Sequence, residues 1–208
     1  MNSRLAAAMT IAALVAAMAV TPLCASAQMD HRPRSVEQIE TGRVRMPGGA
    51  EVAYRIRLLP LLSFPGLPSA VAAQLNEREC MVPQTYEARS PENVVKASLE
   101  RKGSEDWAVL CSVDGATTLY VFFQSHPSAP MALRRQRDTE WLGSEAAGEY
   151  GSAWGIERRG PSQMRMPKGG AAGNAAFDHD GIEDAFVEKS STTHYFQDGT
   201  WMVLENQN

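Results

Sequence analysis

Gly103–Phe123, GSEDWAVLCSVDGATTLYVFF, is the stretch whose reading decides the fold. Trp107, Val109 and Cys111 alternate with Ala108, Leu110 and Ser112. Past Asp114-Gly115, Leu119, Val121 and Phe123 alternate with Tyr120 and Phe122. Both sides of each run are apolar, the pattern of a strand covered on both faces. Asp-Gly between two such runs predicts a tight hairpin, because a turn that matches the strand twist needs positive φ. The stretch therefore predicts a hairpin in the middle of a sheet.

The flanking sequence extends this pattern. Asn93–Lys102 sets Val95, Ala97 and Leu99 against Lys96, Ser98 and Glu100, which predicts a half-exposed strand and hence a meander. Glu51–Leu59 alternates through Val52, Tyr54, Ile56 and Leu58, and short strands are expected over Met131–Arg135 and Ser152–Glu157. A second hairpin is expected where Asp198-Gly199 separates Thr193–Phe196 from Trp201–Leu204. One helix is expected over Ser69–Glu79, capped by Ser69, with Val71, Ala72 and Leu75 on one face. The expected class is α+β: antiparallel hairpins and a meander with one helix tethered by a disulfide.

Residues 1–27 read as a signal peptide. Arg4 precedes the apolar run Leu5–Val20, and Ala25-Ser26-Ala27 is a small-x-small cleavage site. The expected location is periplasmic or secreted, with no membrane span in the mature chain. Leu23 before Cys24 does not suit a lipoprotein signal. Residues 28–50 read as a mobile arm with a short helix over 35–40, and 51–208 as one globular domain. Within that domain, 160–176 (GPSQMRMPKGGAAGNAA) is a low-complexity loop and a candidate binding flap. The formal net charge is −4, and Arg134, Arg135 and Arg137 read as a solvated cluster, so nucleic acid is not an expected partner.

Removal of residues 1–27 would leave two cysteines, Cys80 and Cys111. In an exported chain an even pair predicts a disulfide. The alternative is a reactive thiol. Against it, Cys111 lies in an apolar strand, and Glu77 and Glu79 near Cys80 would raise a thiol pKa.

Two further patterns concern the C-terminal third. Gly103–Ser112 aligns without gaps on Gly181–Ser190, matching at Gly, Glu, Asp, Val and Ser, which suggests a recurring loop–strand–turn–strand unit. The second copy follows Phe177-Asp-His-Asp, placing Asp178, Asp180 and Asp184 around Gly181. Such a loop can wrap carboxylates around Ca²⁺, with the glycine making a sharp bend. It resembles a truncated form of the calcium loops of FG-GAP and VCBS-type repeats, although Ala176 falls at the first ligand position. The other reading is a polar turn whose aspartates cap neighbouring backbone. No motif requires a cofactor, and Ca²⁺ is the one ion this loop suggests.

Catalytic motifs are sparse. H-E-x-x-H, G-x-S-x-G, S-x-x-K, Walker and dinucleotide-binding patterns do not occur. His179 between Asp178 and Asp180 is the one constellation with acid–base potential. His194, within a strand, reads as a face residue.

Cys80-Met-Val-Pro-Gln, Asn93-Val-Val, Asp106-Trp-Ala-Val-Leu-Cys-Ser and His179-Asp-Gly-Ile-Glu-Asp-Ala-Phe, with Tyr195 and Trp201, resemble a family of uncharacterised exported bacterial proteins. The resemblance implies export and the extent of the domain, and carries no catalytic residue. The expected function is a non-catalytic binding or accessory protein of the cell envelope, with an unidentified protein or envelope ligand as partner. A hydrolase using the 178–184 loop, metal-assisted or not, is the alternative, and a Ca²⁺-stabilised structural module is the third. A binder of the first kind is expected to expose a large apolar patch.

Overall fold

The computed structural model describes residues 35–144, 148–164 and 177–205. The signal-like segment, residues 28–34 of the arm and most of the low-complexity loop lie outside the described residues. The first strands are β1 (Gln38–Arg45) and β2 (Glu51–Leu59), followed by helix α1 (Ser69–Asn76) and β3 (Val82–Gln84). The next are β4 (Val94–Ala97), β5 (Asp106–Val113), β6 (Ala116–Phe122) and β7 (Met131–Arg137). After a 3-10 turn at Asp138–Glu140 come β8 (Leu142–Ser144), β9 (Tyr150–Ser152) and β10 (Trp154–Arg159). The described chain ends with β11 (Gly181–Phe186), β12 (Ser190–Gln197) and β13 (Thr200–Glu205).

These strands build three sheets. One has the order β1-β2-β9-β8 with β3 also paired to β2, and the others are the meanders β4-β5-β6-β7 and β10-β11-β12-β13. The class is therefore mainly β, with 50% strand and 11% helix, which corrects the α+β expectation. The physical reason lies in what covers the core. The layers are sheets, and α1 is a single two-turn patch that buries only Val71 and Leu75. It starts behind Pro68 with no side-chain cap, so Ser69 does not cap it, and it gives way to turns before Glu79, whose φ is 55°.

The central hairpin forms as expected. β5 and β6 pair from Trp107–Phe122 to Val113–Ala116. Asp114 and Gly115 have φ of 51° and 74°, positive at both central positions of the turn. Asp198 and Gly199 repeat this at 51° and 80° between β12 and β13. The sheet holding β5 and β6 is covered on both faces. Leu110, Leu119 and Val121 pack against Trp154, Ile156 and Ile182 of the β10–β13 sheet. On the other side Val109, Cys111 and Phe122 pack against Val71, Leu75 and Val82.

Two expectations about the chain's layout are corrected. Residues 38–45, assigned to a mobile arm with a helix over 35–40, form β1 and pair with β2 along all eight residues. The aligned segments 103–112 and 181–190 do not share a supersecondary unit. The first enters β5, whereas the second spans β11, a turn and the first residue of β12.

Asn93 joins the sheets. It is 2% exposed, with φ of 68°, a conformation that asparagine adopts more readily than most residues. Its side chain donates to the carbonyls of Pro83 (2.7 Å) and Trp154 (3.1 Å) and accepts from Ile156 N–H (3.0 Å). One amide thus fastens the start of β4 to β3 and β10.

Candidate functional site

The 177–184 stretch does not wrap around a common centre. Asp178 is exposed and accepts from the Tyr195 hydroxyl at 3.0 Å. His179 is buried, with its ring edge-on to Tyr195 at 4.4 Å and its Nδ1 3.4 Å from Asp178 Oδ1. Asp180 accepts from the Ser98 N–H at 3.0 Å, while its own N–H donates to the Ser98 carbonyl, tying this loop to the end of β4. Gly181 opens β11 and makes no sharp bend. A Cβ there would lie 2.7 Å from Thr193 Cγ2 and 3.0 Å from the His194 carbonyl oxygen, so close strand packing requires the glycine. Among the described residues no group of three or more His, Cys, Asp or Glu side chains is placed to hold a metal ion.

Asp184 stands apart from the other two aspartates, on β11 and 1% exposed. Three donors from three other strands converge on its carboxylate. Arg134 Nη1 of β7 lies 3.0 Å from Oδ2, Trp154 Nε1 of β10 lies 2.7 Å from Oδ1, and His194 Nε2 of β12 lies 3.1 Å from Oδ2. Burial alone would raise the pKa of Asp184. The hydrogen bonds and positive charges of His194 and Arg134 outweigh that effect and hold it below the usual aspartate value. An ionised carboxylate only accepts, so His194 Nε2 is the donor in this contact.

The same ion pair fixes Arg134 in space. Its guanidinium carbon lies 4.7 Å from the centroid of the Trp141 ring, and Trp141 stacks in turn on Trp154 at 4.9 Å. Phe186 meets Trp141 edge-on at 5.2 Å. Arg134 remains 35% exposed and faces a cavity of about 290 Å³. Glu140, Trp141, Asp184, Phe186, Ser190, Ser191 and Thr192 line the rest of it. Chemically this is a polar cavity with one guanidinium held rigidly by a buried counter-ion and an indole face. Beyond the Nη1 contact with Asp184, a guanidinium carries further N–H donors that a ligand acceptor can use.

The site contains residues that the sequence placed elsewhere. Arg134 belonged to a solvated cluster and His194 to a strand face, yet both ligate a buried carboxylate. The available signal was indirect. Trp154 and Asp184 each sit beside apolar residues in a strand and carry a polar group that must be paired once buried. Two other buried aspartates saturate their oxygens on local structure. Asp106 accepts from the N–H groups of Leu99, Glu100 and Gln124, and Asp138 from the hydroxyls of Ser112 and Thr117.

Cys80 and Cys111 form the expected disulfide, with Cα atoms 5.2 Å apart, linking the end of the α1 region to β5. Large exposed apolar side chains among the described residues are Val36, Ile39, Leu62, Met131 and Val203. They lie at or near strands β1, β7 and β13, each at the edge of a different sheet, and on a 3-10 turn. No helix among the described residues is long and apolar enough to cross a membrane. Comparison with family models, with curated proteins and with solved structures gives no match.

Proposed function

We propose that this is a non-catalytic binding or accessory protein of the cell envelope, with the cavity beside Arg134 and Trp141 as its ligand site. One observation carries the reading: a fully buried carboxylate, Asp184, holds a partly exposed guanidinium against an indole at the mouth of a cavity. Pre-positioning a charged donor in this way lowers the ordering penalty that a ligand would otherwise meet. The cavity, at about 290 Å³, suits a small polar molecule with an acceptor group for Arg134. The exposed apolar residues lie at or near the edges of three different sheets and on a 3-10 turn, so the large apolar patch expected of a protein-docking binder lends no support, and the reading rests on the polar cavity. Export is supported by the pattern of residues 1–27 and by the disulfide, which persists in oxidising compartments.

The test is a thermal-shift screen of sugars, amino acids and small carboxylic acids against the wild type and Arg134→Gln. Binding through this cavity predicts at least one compound class that raises the wild-type midpoint by several degrees and leaves the variant unmoved. Equal shifts in both proteins would refute the site.

The hydrolase alternative rests on the 178–184 loop with His179, and the structure adds to it the Asp184–His194 contact at 3.1 Å, in which a carboxylate orients an imidazole. Ester hydrolysis by the wild type that His194→Gln abolishes, with the fold intact, would displace the binding reading.

A further inference from the structure

The pairing of β1 with β2 gathers arginines that are distant in sequence. Arg43 lies opposite Ala53 and Arg45 opposite Glu51, while Arg55 and Arg57 lie opposite Thr41 and Ile39. Alternation along a strand sends all four arginine side chains to one face. That face is opposite the one from which Ile56 and Leu58 enter the core. Two acids answer them. Glu51 bonds Arg43 at 2.9 Å, and Glu37 bonds Arg57 through Nε and Nη2 at 2.7 and 3.3 Å. Arg45 and Arg55 form no ion pair among the described residues. A chain with a formal charge of −4 thus carries a cationic face.

A cavity of about 260 Å³ opens on this face beside Arg55 and Arg57. The sheet itself creates it. β2 meets β9 at the single pair Tyr54–Tyr150 and meets β3 only from Arg57 onward. The notch between the two pairings is lined by Tyr86, Glu149, Tyr150 and Gly151. Glu37 already shows what a guanidinium here accepts, because its carboxylate takes two parallel N–H bonds from Arg57. Arg57, and more weakly Arg55, depress the pKa of Glu37, as expected for a carboxylate at the edge of a cationic patch. Glu149 on the rim favours a ligand that carries a hydrogen-bond donor beside its acid group.

We infer that the notch is a binding site for a small carboxylic acid, with Arg55 and Arg57 as its anchors and Glu37 as a built-in competitor. The fork of a guanidinium matches a planar carboxylate in a way that a spherical anion cannot reproduce. Binding here is independent of the Arg134 cavity.

The experiment is a titration of the full chain with citrate and with glutamate, followed by thermal shift and by amide chemical shifts. Sodium chloride at matched ionic strength and inorganic phosphate serve as comparisons. At least one acid is expected to bind with shifts centred on β2, β9 and Tyr86. Arg55→Gln is expected to weaken it about tenfold or more, the loss of a charge-assisted bond. Arg55→Lys, which keeps the charge without the fork, should recover only part of that loss. Glu37→Gln should tighten binding about two- to fivefold by removing an exposed competitor. The inference is overturned if chloride or phosphate reproduces the effect, if Arg55→Gln binds as well as the wild type, or if Glu37→Gln binds no tighter.

Discussion

Asp184 is a carboxylate that burial would ordinarily neutralise, kept charged by donors from Arg134, Trp154 and His194. Replacing it by alanine leaves a guanidinium, an indole N–H and an imidazole without their acceptor. Asp184→Ala is expected to lose about 3–5 kcal/mol in urea unfolding, the scale of a broken buried pair. A loss under about 1 kcal/mol would show that the three donors find other partners. The sequence singles out Asp184 with Asp178 and Asp180, either as calcium ligands or as turn residues that cap neighbouring backbone, and Asp180 does accept from the Ser98 N–H. The sequence reads Gly181–Asp184 as a loop before a strand, whereas these residues already belong to β11. The partners of Asp184 could not be read, because they lie 50, 30 and 10 positions away and only the strand pairings bring them close. Because Asp178, Asp180 and Asp184 engage separate protein groups, thermal midpoints in excess Ca²⁺ and in EDTA are expected to coincide. A rise in Ca²⁺ that Asp180→Ala removes would restore the loop as a metal site.

Among the elements, legibility followed the strength of the hydrophobic period. β5 and β6 announced themselves through runs apolar on both sides and an Asp-Gly turn, and β12 and β13 through the same turn. β1 did not, because of its four half-buried positions, Gln38, Glu40, Gly42 and Val44, only the last is apolar. Backbone pairing with β2 makes it a strand, and that information lies in β2. The α1 helix was over-weighted for the converse reason. A short apolar period is visible in sequence, but the share of the core it covers is not. Gly181 shows how a residue can be recognised for the wrong reason. It is needed for the approach of β11 to β12, where the His194 carbonyl cannot yield as a side chain could. Gly181→Ala is expected to cost about 1–3 kcal/mol, the range for overpacking, in chemical denaturation. An unchanged midpoint would mean that β12 shifts freely against β11.

Beyond the apolar cores, specific cross-links join the layers of the molecule. Asn93 ties the start of β4 to β3 and β10, and Asp180 ties the end of β4 to the entry of β11. The disulfide ties the α1 region to β5. Reduction of Cys80–Cys111 is expected to lower stability by about 3–4 kcal/mol on the chain-entropy account. Comparing urea midpoints with and without reductant checks this, and equal midpoints would contradict it. The Asp184 cluster belongs to the same set, since it joins β7 of the central sheet to β10, β11 and β12 of its neighbour. A folded pKa below the unfolded value, near 3.9, means that this contribution is complete above that pH. It is lost as pH falls through the folded pKa. The measurement that bears most directly on the account is therefore a ¹³C carboxyl titration of Asp184 in the folded protein. The account predicts a midpoint below about 3.9, moving upward in Arg134→Gln. A midpoint above that value would mean that burial outweighs the donors from Arg134, Trp154 and His194, and would contradict the account of Asp184 as a stabilised counter-ion that anchors Arg134.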